Sequence, residues 1–138
     1  MSSLAYDLHV LVRSLDRSAE VRLAPFGLTY ARYLALVVVG DHDDLTQREL
    51  AVALGQSEPT ASRTAAALAD AGWLNVVRTP GTGNRRMLRL TPSGHDLLDR
   101  ASASLGNDFD DVVRSIGQDP DHLAAQVRRL TATLEESS

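Results

Sequence analysis

The sequence predicts a mainly α fold with a small β-hairpin wing, that is, a winged helix-turn-helix plus a helical dimerisation region. Three observations carry this. A capping box opens a short helix that a glycine turn joins to a second, alanine-rich helix between Thr46 and Ala71. Two short runs of branched and apolar residues follow at once, joined by turn formers. Amphipathic helical stripes flank this centre on both sides.

The first stripe is Leu4, Leu8, Leu11, Val12, Leu15 and Ala19, with Asp7, Arg13, Asp16, Arg17 and Glu20 between them. This spacing predicts an amphipathic helix ending near Pro25-Phe26-Gly27. Thr29 is the expected N-cap of a second helix, Tyr30 to about Gly40, apolar nearly all round and so buried. The acidic turn Asp41-His42-Asp43-Asp44 closes it. In Thr46-Gln47-Arg48-Glu49 the threonine hydroxyl can accept from the Glu49 amide while the Glu49 carboxylate reaches back to the Thr46 amide. The helix so opened, Gln47 to Leu54, ends at Gly55. After one further residue Ser57 caps a helix from Glu58 to about Ala71, with Pro59 in its first turn, where a missing N–H costs nothing. A short helix, a tight turn and a longer helix make a helix-turn-helix.

Ala61, Ala65 and Leu68 can pack inward from this longer helix, leaving Pro59, Thr60, Ser62, Arg63 and Ala66 outward. Small hydroxyls and one arginine form a slim face that fits the major groove and can bond phosphates or base edges. The alternative is a helix rich in alanine for propensity alone. Gly72 stops it, and two strands follow, Leu74 to Thr79 and Arg86 to Thr91, joined by Pro80 to Arg85. A hairpin directly behind a helix-turn-helix is a wing. Arg85 and Arg86 at its tip can reach a flanking minor groove, whose negative potential favours arginine. Thr91-Pro92 opens a long helix expected to pass through Leu97, Leu98, Ala101, Leu105, Phe109, Val112, Val113 and Ile116. Asp119-Pro120 opens a last one with Leu123, Val127, Leu130 and Leu134 on one stripe.

The 138 residues carry a net charge of −4, which alone argues against a nucleic-acid partner. Its distribution argues the other way. Residues 1–45 hold four arginines against six acids, residues 46–95 six against three, and residues 96–138 four against nine. The middle third is thus a basic island between acidic ends, as a local polyanion-binding surface requires. All fourteen basic residues are arginine, a bias that a GC-rich genome produces. There is no cysteine, which excludes disulfides and thiolate metal sites. The amino-terminal segment lacks a signal-peptide pattern. The longest apolar run, Tyr33 to Val39, is far short of the roughly 20 residues of a membrane span, so no membrane partner and a cytoplasmic location are expected.

The order helix, helix, TQRELAVALGQSEPTASRTAAALADAGWL, hairpin with NRR, LTPSG, long helix, helix resembles the MarR family of winged-helix regulators over nearly the whole chain. Its most specific parts are Ser57–Arg63, Ala71-Gly72-Trp73-Leu74, the wing arginines and Leu90-Thr91-Pro92-Ser93-Gly94. The resemblance implies a homodimer built from the first, fifth and sixth helices of both chains, here within residues 1–28 and 92–138. It places the winged helix-turn-helix at 29–91, all in one MarR-like domain of residues 1–138. It further implies a repressor that reads a palindromic operator in double-stranded DNA and is released by a small aromatic or anionic effector. The expected DNA contacts are Gln47, Ser57, Pro59, Thr60, Ser62, Arg63, Asn84, Arg85 and Arg86. Asn84 stands where the family usually has an aspartate, and the hairpin is two residues shorter than usual, an even deletion that preserves strand facing. Without cysteine the peroxide-sensing branch of the family is excluded.

For an effector cleft, His9 and Arg13 lie one turn apart on the first helix, with Tyr30 and Tyr33 on the second. Arginine can hold a carboxylate and the rings can line a pocket; the alternative is a solvated charge on an amphipathic helix. His42 beside three aspartates reads as a solvated acidic turn rather than a metal site. Pro92-Ser93-Gly94-His95 is a helix start and not a nucleophile elbow, and no phosphate loop follows a strand. Neither an enzyme nor a cofactor is expected. The competing function is a winged-helix protein-interaction module that has lost DNA binding. Terminal apolar stripes at Leu8, Leu15, Leu123, Val127, Leu130 and Leu134 exceed what one chain can bury, which predicts a dimer.

Overall fold

A computed structural model describes residues 3–78 and 85–137 of the chain. Local side chains set most of its helix starts. The Ser3 hydroxyl accepts from the Tyr6 amide at 3.1 Å and opens α1, Leu4–Leu23, which a 3-10 turn at Ala24–Phe26 extends. Thr29 accepts from the Arg32 amide at 3.1 Å and opens α2, Tyr30–Gly40. The capping box forms as expected at the head of α3, Gln47–Leu54, and Ser57 caps α4, Glu58–Asp70. Strands β2, Leu74–Arg78, and β3, Arg86–Leu90, are the arms of the wing. Helices α5, Pro92–Leu105, α6, Asp108–Ser115, and α7, Pro120–Glu136, complete the chain.

Two features depart from the sequence expectation. The wing sheet has three strands, because Leu45–Thr46 forms a short β1 antiparallel to β3, giving the order β1-β3-β2. Leu45 pairs with Leu88 in that ladder and both are buried. The single long helix expected to pass through Ile116 is instead broken after Leu105. Gly106 takes a φ of 58°, a left-handed conformation that ends a helix with little penalty for glycine. The apolar spacing had run smoothly across this break.

The chain forms two compact units, Met1–Leu105 and Gly106–Ser138. In the first, Leu23, Leu36, Leu50, Leu68 and Leu88 are fully buried in one core together with Ala61 and Ala65 of α4. The inward face assigned to α4 is therefore the observed one. In the second, α6 packs on α7, and Phe109, Val113, Leu123 and Val127 help line a groove of about 360 Å³. Among the described residues no single helix is long and apolar enough to cross a membrane.

One junction fixes the wing to the helices. The Thr91 hydroxyl donates to the Gly72 carbonyl at 2.7 Å and accepts from the Gly94 amide at 3.0 Å. The Thr91 amide donates to the Trp73 carbonyl at 3.1 Å. A Cβ on Gly94 would lie 2.0 Å from that same carbonyl oxygen, an overlap no side chain tolerates. Ala71-Gly72-Trp73-Leu74 and Leu90-Thr91-Pro92-Ser93-Gly94 are thus two halves of one joint.

Candidate nucleic-acid interface

The start of α3 is the most completely bonded helix end in the interface. Glu49 donates its amide to the Thr46 hydroxyl at 3.0 Å, and its carboxylate accepts from the Thr46 amide at 3.1 Å and hydroxyl at 2.9 Å. These bonds favour the charged form and hold the Glu49 carboxyl below its ordinary range, with smaller help from His42 and Arg85. The box aims Gln47 and Arg48, the next two residues, out of the first turn of α3. Both help line a cleft of about 710 Å³ with Thr46, Glu49, Glu58, Arg85 and Arg86. Gln47 and the two wing arginines, separate in sequence, therefore share one concavity. Arg48 Nε and a Glu58 carboxylate oxygen lie 3.5 Å apart across the helix-turn-helix.

On α4 the hydroxyls form a short relay. Ser57 Oγ donates to Thr60 Oγ1 at 2.9 Å, and Arg63 Nη2 donates to the same oxygen at 3.2 Å. Thr60 Oγ1 thus accepts twice and keeps its own hydrogen to donate. Arg63 is held along the helix before any ligand arrives, which lowers the side-chain entropy lost on binding. Pro59 and Arg63 are exposed, while Thr60 and Ser62 are half-buried beside them.

Arg85 and Arg86 are exposed where the described wing resumes; Asn84 lies outside the described residues. Arg78 sits directly opposite Arg86 in the β2–β3 ladder. Like charges facing across a ladder destabilise it unless an anion joins them. Nothing in the sequence around Arg78 marks it; the strand register, which sets it against Arg86, does. Arg48, also outside the expected contacts, is marked by its place beside Gln47. Arg89, by contrast, is engaged by Asp44 of the acidic turn, at 2.9 Å from Nε. That turn therefore anchors β3 by charge, and among the described residues no group of three or more His, Asp or Glu could hold a metal ion.

The four effector candidates fall into two pairs. His9 and Arg13 are exposed on α1. Tyr30 and Tyr33 stack with ring centroids 6.4 Å apart and planes at 19°. The Tyr33 hydroxyl lies 2.9 Å from Ser102 Oγ on α5, and the Tyr30 amide donates to Glu20 at 3.0 Å. Partial burial pushes the Tyr30 phenol above its ordinary range, with Asp16 and Tyr33 adding to the shift. The charge on α1 that Tyr30 senses is that of Asp16, one turn beyond Arg13.

A sequence profile of the MarR family matches residues 26–87. No curated protein sequence matches the chain significantly. The fold is similar to that of Staphylococcus aureus MepR in its DNA-binding conformation, with a TM-score of 0.84 and 22% identity over 99% of this chain and 100% of that one. It is similar to a mutant of Escherichia coli MarR complexed with operator DNA, with a TM-score of 0.81 and 20% identity over 95% and 93%. It is also similar to NadR in complex with 4-hydroxyphenylacetate, with a TM-score of 0.79 and 16% identity over 97% and 93%.

Proposed function

We propose that this chain, a winged-helix protein of the MarR family, works as a homodimeric, sequence-specific DNA-binding transcriptional regulator, a repressor released by a small-molecule effector. The observation that carries the DNA reading is the convergence of Gln47, Arg48, Arg85 and Arg86 on one cleft beside α4. α4 supplies the slim polar face for the major groove, and the wing supplies cations for the flanking backbone and minor groove. The DNA-bound state of the MarR mutant and the DNA-binding conformation of MepR support this reading of the shared fold. A dimer reading a palindrome gains support from the exposed apolar residues of α1 and α7, among them Leu8, Val127, Leu130 and Leu134. Residues 1–28 and 92–138 are the proposed dimerisation segments. For the effector, the ligand held by NadR suggests an aromatic acid. The stacked Tyr30–Tyr33 pair offers an aromatic face, and His9 and Arg13 the charge.

The test is a salt titration on the DNA upstream of the protein's own coding sequence, comparing wild type with an Arg85→Ala, Arg86→Ala double variant. The double substitution removes two cations from each subunit of the dimer. The slope of log K against log[salt] should flatten by about 0.9 for each phosphate that is no longer neutralised. Helical content and oligomeric state should stay unchanged, because both side chains are solvated. If wild type fails to bind at low salt, the DNA reading is wrong and the acidic chain is better read as a protein-interaction module.

A further inference from the structure

Glu58 is an anomaly in the cleft. Its neighbours there include Arg48, Arg85 and Arg86, the cations a polyanion seeks. A carboxylate among them opposes every phosphate equally. Capping does not require it, since Ser57 already accepts from the Thr60 amide. Its ion pair with Arg48 joins side chains 85% and 63% exposed, and such a pair contributes little to stability. An acid in the first turn does favour the helix dipole, a role that predicts an effect on stability and none on base preference.

The remaining chemistry is directional. An ionised carboxylate only accepts hydrogen bonds. In the major groove the donors are the amino groups of cytosine N4 and adenine N6. Adenine sets its donor beside the N7 acceptor, a pair that suits the amide of Gln or Asn. Cytosine offers the donor alone, which matches a carboxylate. We infer that Glu58 is a specificity-determining residue, its carboxylate accepting from a cytosine amino group at the edge of the site that α4 reads. In the free protein Arg48 holds the carboxylate. On DNA the base amino group takes over and Arg48 turns to a phosphate. This assignment rests on the DNA-binding reading above.

The experiment is selection from a pool of random duplexes with wild type, Glu58→Ala and Glu58→Gln, with affinities then measured on the selected and on scrambled DNA. Wild type should select cytosine at one position in each half-site. Glu58→Ala should lower discrimination at that position by about tenfold or more while binding scrambled DNA more tightly. Glu58→Gln should shift the preference there towards adenine. Thermal melts check folding, and should the alanine variant not fold, the near-isosteric glutamine variant carries the test. An unchanged consensus in all three, with affinity raised uniformly, overturns the assignment and leaves the DNA reading intact. Failure of wild type to select any consensus overturns both.

Discussion

The unit Met1–Leu105 and the unit Gly106–Ser138 treat their apolar residues in opposite ways. In the first, Leu36, Leu50, Leu68 and Leu88 are at or within 1% of complete burial. In the second, Val113 is the one described residue that is buried, while Ile116 and Leu134 are each 72% exposed and Val127 and Leu130 more than half. The first unit buries a leucine core of its own, although Val21 and Val52 stay exposed. The second, like the first half of α1, displays an exposed apolar stripe, the surface the proposed dimer would cover. Stability within one chain and stability of an assembly should therefore respond to different residues.

The widest separation is expected between two leucine truncations. Leu68→Ala, from the centre of the winged-helix core, should destabilise folding by about 2–5 kcal/mol. Leu130→Ala should change the stability of a single chain by no more than about 0.5 kcal/mol, yet weaken the proposed dimer. Chemical denaturation and sedimentation across a range of concentrations read the two quantities apart. Equal effects of both changes on both measurements would erase the distinction between the units.

Gly94→Ala comes next, at about 3 kcal/mol, because the new methyl must displace the Trp73 carbonyl. Its melt should lose cooperativity in the winged-helix unit first. An unperturbed melting temperature would mean the joint can open without cost. Arg63→Ala should leave both units folded and weaken operator binding by about 1–3 kcal/mol, with relaxed preference at one base pair. A uniform loss on all sequences would make Arg63 a phosphate ligand instead.

The smallest change is Thr46→Ala, about 1 kcal/mol of helix capping. Its pH dependence has a definite sign. Glu49 is held below its ordinary value of 4.5, so the bond contributes fully above that pH and is lost as pH falls through the lower folded value. In the variant, the Glu49 titration followed by NMR should move back up towards the ordinary range. No movement would mean that the backbone amide of residue 46, which alanine keeps, sets the shift without the hydroxyl.

The parts of this molecule legible in its sequence are those whose causes lie within a few residues. Thr29, Thr46 and Ser57 each bond to an amide three positions on, and the inward face of α4 follows from helical period alone. What escaped notice is set at long range. Two residues, Leu45 and Thr46, carry no period of their own, and only pairing with Leu88 and Met87 makes them a strand. Arg89 shares a strand with the wing arginine Arg86, and its partner Asp44 lies 45 positions away in sequence. The break at Gly106 failed for the opposite reason. Ala101, Leu105, Phe109 and Val112 keep a helical period across it, so the pattern concealed the stop. For the proposed interface, Gln47, Arg85 and Arg86 are singled out by type and position, whereas Glu58 and Arg78 acquire meaning only from what faces them.

On the proposed DNA reading, the joint of Thr91, Gly72, Trp73 and Gly94 makes α4 and the base of the wing act as a caliper. One jaw is α4, which runs directly into Gly72, and the other is the β2–β3 wing, whose base is pinned at Trp73 and Thr91. A duplex advances about 3.4 Å per base pair along each strand and turns through roughly a tenth of a revolution. Inserting a single base pair between the step gripped by one jaw and the step touched by the other carries the second out of reach. A protein that bound DNA in the proposed way would tolerate substitutions between its two gripping points far better than insertions, and its binding sites would differ in letters before they differ in length.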